Sequence, residues 1–459
     1  MSRLIRSGFL FAMFGFGLAT PVFSQSYKEL IGYNALLAEK GGALEDGAGL
    51  RVLQPEAPQG GNYMPGSGAQ FTGKSITNGT PGGSTGSSSH ATGVAFRFYG
   101  NTVGIAPGIA DITGYDANDY IDRVLGVELG GDPLAQGFDV GNHSYIDDGL
   151  TNAETTDVLQ RFDFLINRDD TVMAVGVNNG AGNTTPDLLS PSYNAIAVGR
   201  SDGGHSRGET TSYGLGRFKP DIVAPEVNVS LATPIVAGAA AVLKHAAAGT
   251  GASQNEVIKS MLFAGATKEE FASWNRSTTQ PIDEVYGFGE VNILHSYHIF
   301  EGGVFTGSTT DPVANVNHYG WDNGDFDGTN DLYYDFKIED GRSVTELSAA
   351  LVWNIEVTDS DPDTAIFNAT TSLANLDLEL FDSTGSFLGL IVDSSLSTAY
   401  NLEHIYLTDL AAGDYTFKIS GDSAVNYGFS WRITTVPEPS SFALFGLVAF
   451  GLISRRRRN

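Results

Sequence analysis

The sequence predicts an α/β fold, a parallel sheet flanked by helices, followed by a C-terminal β-sandwich. Over residues 45–300 short apolar runs of strand length alternate with segments of helical periodicity, which is the pattern of a parallel sheet with helices on its faces. After Pro234 the chain is almost wholly small and apolar, from Val236 to Leu243, and this reads as a helix packed closely on every side. From about residue 305 no long helical stretch occurs. There LSAALVWNIEV, LANLDLELFD, GSFLGLIVD, HIYLTDL, GDYTFKIS and YGFSWRI are short alternating strands separated by Gly and Asp turns.

Taken in order, GAGLRVLQPEAP (residues 47–58) is a turn and then an apolar run that ends in an acid, Glu56. Residues 59–89, rich in Gly, Ser, Thr and Pro, read as loop. His90 opens a helix-like segment of small residues. ANDYIDRVLG (117–126) has helical periodicity, and FDVGNHSYID after it is a strand carrying His143 and Ser144. The helix TTDVLQRFDFLINRDD leads to the strand TVMAVGVNNGAGN, with Ala174, Val175 and Gly176 along it and Asn178 in the turn that follows. YNAIAVGRSDG is a further strand, and SQNEVIKSMLFAGA an amphipathic helix.

Ser230 stands just ahead of the small-residue helix. Free N–H groups and the positive end of the helix dipole favour developing negative charge at such a place, which suits a nucleophile that forms an oxyanion. The same place suits a serine that merely caps the helix. Pro234 falls within or near the first turn and removes at most one helical hydrogen bond.

KPDIVAPEVNVSLATPIVAGAAA resembles the active-serine segment of the subtilisin-like serine proteases (subtilases, peptidase family S8), with Ser230 at the nucleophile position. Asn228 and Val229 stand where that family usually has Gly and Thr. GAGLRVLQPE is similar to the family's strand that ends in the acid orienting the catalytic histidine, which places Glu56 in that role. His90, with Thr92 and the downstream GIAP at 104–107, resembles the segment of the catalytic base. Ser144 resembles a serine of the substrate-binding strand, VMAVGVNNG the strand lining the specificity pocket through Ala174, Val175 and Gly176, and Asn178 the oxyanion donor. VYGFGEVNILHSY resembles the closing segment. The resemblance covers about residues 45–300 and implies a subtilisin-like parallel sheet with the acid, histidine and serine in that order along the chain. Plainer readings stand beside these: Glu56 as an exposed loop acid, His90 as structural or merely exposed, and Asn178 as a turn asparagine; His143 reads as structural or as a subsite wall.

The N-terminal stretch, with Arg3 and Arg6, an apolar run and then small residues, reads as a signal peptide over residues 1–24. Some twenty residues then precede residue 45, too few for a folded pro-segment. The chain has no cysteine, so an exported form depends on its cores and any bound cations. The end, VPEPSSFALFGLVAFGLISRRRRN, combines Pro437, Glu438 and Pro439 with a short apolar run and four arginines. It resembles the PEP-CTERM sorting signal over 436–459. That implies processing by an exosortase-type enzyme, transient membrane insertion by this tail, and display at the cell surface or in the extracellular matrix of a Gram-negative bacterium. Without the arginines of the two signals, 20 basic residues face 53 acidic ones, which argues against a nucleic-acid partner.

The expected organisation is therefore signal peptide, peptidase domain over 45–300, β-sandwich over 305–435 and sorting tail. The resemblance implies an exported serine endopeptidase that hydrolyses a protein or peptide substrate through an acyl-enzyme intermediate with a Ser/His/Glu triad. The alternative is a catalytically inactive exported binding or matrix protein on the same fold. The chemistry requires no cofactor. Asp322, Asp325 and Asp327, and again Asp359, Asp361 and Asp363, are spaced as in calcium loops, so structural calcium is allowed, with solvated turn acids the plainer reading.

Overall fold

A computed structural model describes residues 26–147, 149–310, 315–362, 366–385 and 387–437. The expected signal peptide lies outside the described residues, as do Asp363 and all of the sorting tail beyond Pro437.

The N-terminal α/β region begins with α1 (Tyr27–Leu30), α2 (Tyr33–Lys40), β1 (Arg51–Glu56), β2 (Ser75–Asn78), α3 (Ser89–Tyr99), β3 (Asp111–Asp116) and α4 (Ala117–Asp119). It continues with β4 (Val140–His143), α5 (Asn152–Asp169), β5 (Val172–Gly176), β6 (Ile196–Arg200) and a small ribbon of β7 (Gly208–Glu209) and β8 (Phe218–Lys219). Then follow β9 (Ile222–Ala224), α6 (Val229–Ala246), α7 (Asn255–Gly265) and α8 (Ile293–Gly302). Seven strands form one sheet in the order β2-β3-β1-β4-β5-β6-β9, every neighbouring pair parallel. The fold class is the one expected: a parallel sheet flanked by helices, followed by antiparallel sheets.

The near-continuous apolar strands have a simple cause, since both faces of the sheet are covered. Val52, Val140, Val172, Ala174, Ile196 and Val198 pack against the layer of α3, α6 and α7. The alternate residues Leu53, Met173 and Val175 pack against α5 and the 117–125 segment. That segment departs from the helix expected over 117–126. After α4 it widens into a π turn over Tyr120–Val124, closed by Leu125 N–H to Tyr120 O at 2.9 Å. Local signals start the other helices: Ser88 Oγ accepts from Ala91 N before α3, and Thr151 and Glu154 form a capping box on α5. By composition α6 is apolar enough to cross a membrane, but it lies buried in the core.

The C-terminal region holds β10 (Tyr319–Asp327), β11 (Leu332–Ile338), β12 (Arg342–Trp353), β13 (Glu356–Asp359), β14 (Ala369–Ser372), β15 (Leu376–Asp382), β16 (Leu390–Ser395), β17 (Leu402–Leu407), β18 (Gly413–Gly421) and β19 (Ala424–Pro437). Two antiparallel sheets, β10-β19-β12-β17 and β11-β18-β15-β16, enclose a core that includes Trp353, Phe417, Phe429 and Trp431.

The first of these sheets is also covered on its outer face. Trp321, Ala350, Val352, Tyr400 and Leu402 belong to the same apolar cluster as α6 and α7. This explains why β12 is buried along its second half instead of alternating. A Cβ at Gly428 would stand 2.6 Å from the Glu256 backbone, so β19 lies directly on α7. Buried polar contacts cross the same junction. Ser260 Oγ and Ser430 Oγ are 2.7 Å apart, Lys259 donates to Asn354 Oδ1 at 2.8 Å, and the Asn194 amide pairs with both backbone groups of Ile355.

Because the two regions share one core, heating should unfold them in a single cooperative transition. Gly428→Leu should lower that transition by about 2–3 kcal/mol of stability, since α7 and β19 have no room to part. Calorimetry of the wild type and the variant checks both. Two separated transitions, only one of them moved by the substitution, would refute the shared core.

Candidate active site

The residues singled out from the sequence gather at the carboxyl edge of the seven-stranded sheet, where open α/β sheets place their ligand sites. The register pairs Glu56 with Asp116 and His143 with Val175, so the ends of β1, β3, β4 and β5 stand at one level.

Ser230 is the second residue of α6, inside its first turn and not ahead of it as the sequence suggested. Pro234 correspondingly sits within the helix, one turn on. Proline has no N–H to give to the carbonyl four residues earlier, which here is Ser230 O. Ser144 supplies the missing donor: its Oγ donates to Ser230 O at 3.0 Å and in turn accepts from Asn142 Nδ2 at 3.0 Å. Thus the serine expected on a substrate-binding strand is a buried side chain that holds the turn carrying Ser230. Asn179 Oδ1 accepts from Val229 N at 2.9 Å and ties the turn after β5 to the same helix end. The Ser230 N–H meets no acceptor among the described residues.

Asn228, in the place of the usual glycine, has extended backbone (φ −138°, ψ 145°), which any residue adopts. Val229, in the place of the usual threonine, is buried against Val177 and Ala197. Both departures are therefore accommodated by packing and backbone without strain.

Glu56 is wholly buried. Its Oε2 lies 2.7 Å from Nδ1 of His90, the second residue of α3, and the imidazole is 24 % exposed. Burial works against the imidazolium, but the hydrogen bond and charge of Glu56 outweigh it and hold the His90 pKa above the ordinary histidine value. Two contacts bring α3 to α6. A Cβ on Gly93, one turn beyond His90, would lie 3.5 Å from Leu231 Cδ2, and Arg97 Nε is 2.8 Å from Glu226 Oε1 in the loop before α6. No hydrogen bond joins Ser230 Oγ to His90 among the described residues.

Asn178 follows β5 on the same edge. Its backbone is held on both sides by Ser206, N–H to Oγ at 2.8 Å and carbonyl to Ser206 N at 2.7 Å, while its side-chain amide has no hydrogen-bond partner among the described residues. Gly176 is a true close approach, since a Cβ there would meet Thr233 Oγ1 at 2.9 Å and Val229 Cγ1 at 3.0 Å. Ala174 and Val175 are wholly buried on opposite faces of the sheet, so in this structure they are packing residues and reach no cleft. His143 is structural. It is wholly buried among Tyr120, Tyr145 and Phe162, and burial pushes its pKa down to about 3.

Several of the acids spaced as in calcium loops accept hydrogen bonds within the protein. Asp322 is buried and accepts from Tyr334, Tyr427 and Gly307 N, Asp327 closes a turn through Thr329 N and Asn330, and Asp325 is exposed between them. Asp359 accepts from Asp361 N and Asn368 N in a turn of its own. Glu39, His298 and Glu301 bring donor atoms within 4.8 Å of one another, but Lys40 already lies 2.9 Å from Glu39 and 2.6 Å from Glu301 as their counter-charge.

The residues that sequence reasoning passed over are those that hold others in place. They are Gln54, which donates to Glu56 Oε1 at 2.9 Å, together with Asn179 and the Arg97–Glu226 pair. Only Gln54 left a trace, as an amide inside an otherwise apolar strand.

The PEP-CTERM protein-sorting motif matches residues 435–458, which marks an exported protein sorted to the cell surface in Gram-negative bacteria and handled by exosortase-type machinery. No curated protein sequence matches the chain. Among solved structures it is similar to the prenylagaramide maturation protease PagA, at 19 % identity over 58 % of this chain and 97 % of that one, with a TM-score of 0.41. It is similar to a cold-adapted subtilisin-like serine proteinase at 18 % identity, over 54 % of this chain and 88 % of that one, with a TM-score of 0.35. It is also similar to fervidolysin from Fervidobacterium pennivorans, a keratinolytic enzyme related to subtilisin, at 13 % identity over 88 % of this chain and 76 % of that one, with a TM-score of 0.41.

Proposed function

We infer that this chain is an exported serine endopeptidase with a Ser230, His90 and Glu56 triad. The observation that carries the reading is the 2.7 Å bond from His90 Nδ1 to a carboxylate that is itself wholly buried. A carboxylate on Nδ1 fixes the tautomer with Nε2 free to act as a base, and it stabilises the imidazolium that forms.

The chemistry follows from the positions of the groups. Ser230 Oγ attacks the scissile carbonyl carbon as His90 Nε2 takes its proton. The oxyanion is met by the Ser230 N–H and the Asn178 amide, both without other partners among the described residues. Collapse of the intermediate breaks the C–N bond, and the leaving amine takes the proton from His90. Water, deprotonated by the same imidazole, then hydrolyses the ester and restores the hydroxyl. The substrate would be an extended peptide laid along the carboxyl edge of the sheet. Ser230 Oγ and His90 share no hydrogen bond among the described residues, and in unliganded enzymes such bonds are often long and tighten only when substrate binds. The open contact is also the one observation favouring the second reading, an exported binding or matrix protein without turnover.

A fluorophosphonate probe separates the two. The wild type should be labelled and Ser230→Ala should not. Equal labelling, or none in either, would favour the binding reading.

Labelling needs a neutral imidazole. With the His90 pKa raised, the rate should fall as pH drops through a value above the ordinary histidine value of about 6.5. A rate independent of pH between about 5 and 8 would exclude His90 as the base.

Glu56→Gln should slow labelling by about 10³–10⁴-fold with little change in melting, because the imidazole loses its tautomer control. Ser144→Ala should instead cost about 1–2 kcal/mol of stability, since Ser230 O is left without a donor, and slow labelling more modestly. Melting curves and labelling rates measured side by side distinguish the two roles.

A further inference from the structure

Gln54 and Glu56 are two residues apart on β1 and therefore share one face of the strand. Both are wholly buried. The three hydrogen-bonding functions of the Gln54 amide are all used, and two of them fall within the neighbourhood of the triad. Nε2 donates to Glu56 Oε1 at 2.9 Å and to Ala91 O at 2.9 Å, while Oε1 accepts from Tyr99 OH at 2.6 Å. Ala91 adjoins His90. One side chain thus binds the oxygen of Glu56 that His90 leaves free and also the backbone beside His90.

We propose that Gln54 is a positioning residue for the acid and base pair, and that Tyr99 anchors its amide from the other side. This rests on the triad reading given above. A buried carboxylate with one oxygen on an imidazole and nothing on the other could rotate about its terminal bond. The Gln54 N–H removes that freedom, and it is the device that lets a glutamate, longer by a methylene than aspartate, hold one orientation. Glu56 Oε1 and Ala91 O can only accept, so the amide nitrogen faces them and the amide oxygen is left to accept from Tyr99 OH. Without Tyr99 the buried amide oxygen loses its donor and the amide its third anchor, which loosens its hold on Glu56.

Among the described residues, Gln54 is the neutral donor that touches the Glu56 carboxylate. Tyr99 on α3 and Tyr145 beyond β4 are buried, with pKa values pushed well up by burial, so both phenols stay neutral. Asp116, the register partner of Glu56 on β3, is engaged by the Asn118 N–H at 2.9 Å and its amide at 3.1 Å.

Protonation of the coupled pair gives the readout. Both forms contain the carboxylate, but only the form with neutral imidazole leaves it without a cation beside it, so donation from Gln54 matters more there. Removing the donor should raise the apparent pKa of the pair. We expect Gln54→Met to raise it by about half to one unit, and Tyr99→Phe to raise it less, in the same direction.

The measurement is an NMR titration of the full chain with labelled histidine, the His90 signal assigned by its loss in His90→Ala. It needs no turnover. If Gln54→Met does not fold, Tyr99→Phe alone carries the test through the sign of its shift. An unchanged or lowered value in each variant that folds overturns the proposal. Should the expected shift appear while wild-type protein resists the fluorophosphonate, the protease reading fails and the role of Gln54 on the pair stands. Labelling of the wild type with no shift in the variants has the opposite meaning.

Discussion

The first turn of α6 is the reference point for the rest of the site, and its position depends on how closely a helix can approach a sheet. Gly176 leaves room for Val229 and Thr233, and Gly238 leaves room for Ile105, whose Cβ would otherwise face a second Cβ at 2.6 Å. The run of alanines around Gly238 follows from the same constraint, since larger side chains would lift the helix off the strands. Seated this closely, the helix end falls within hydrogen-bond reach of β4 through Ser144 and of the turn after β5 through Asn179. The proline that interrupts the helix belongs to this arrangement, because it frees the carbonyl that Ser144 takes. A helical register one residue different would separate all of these contacts together.

The second constraint is electrostatic. A carboxylate removed wholly from water costs several kcal/mol unless each oxygen has a donor. Glu56 has two, the imidazole and the Gln54 amide, and the amide is in turn held by Tyr99. A chain of neutral dipoles ending in one partly exposed imidazole lets the charge stay inside without a buried cation. Deep in the β-region the protein meets the same problem at Asp322, again with neutral donors, two tyrosines and two backbone N–H groups. Carboxylates of this kind serve rigidity at one place and, on our reading, catalysis at the other. What separates them is the imidazole that opens toward solvent.

Much of this was legible in the sequence, for identifiable reasons. Parallel strands buried on both faces leave uninterrupted apolar runs, and a helix seated on glycine and alanine leaves a run of small residues, so the sheet and α6 could be read directly. The bond between Glu56 and His90 could be expected from chain order, because both residues end or begin elements at one edge of the sheet. Ser144 could be picked out but not its role, since its partner is a carbonyl freed by a proline 90 residues away. Ala174 and Val175 were expected to wall a pocket, yet residues on a strand inside the sheet alternate between two packed layers. The π turn after α4 was hidden because i, i+5 hydrogen bonds leave no periodicity distinct from that of a helix over so short a span.

The junction between the two regions shows where pattern reading meets its limit in general. In the sequence, LSAALVWNIEV reads as a short alternating strand of a β-sandwich, and a sheet packed on one side should alternate. The second half of β12 does not alternate, because α7 covers the other side. An uninterrupted apolar strand in an antiparallel region is therefore a signal in its own right, of a sheet with a second partner. The polar groups at the junction fit that view. Lys259 is buried there with carbonyl oxygens as acceptors and its pKa lowered by burial to about 8, a placement that makes sense only if the two halves are seldom apart. The β-region is then part of the frame that supports α7 and, through α7, the sheet whose edge carries the candidate triad. Its separation from the α/β region in sequence is a matter of chain order and not of packing.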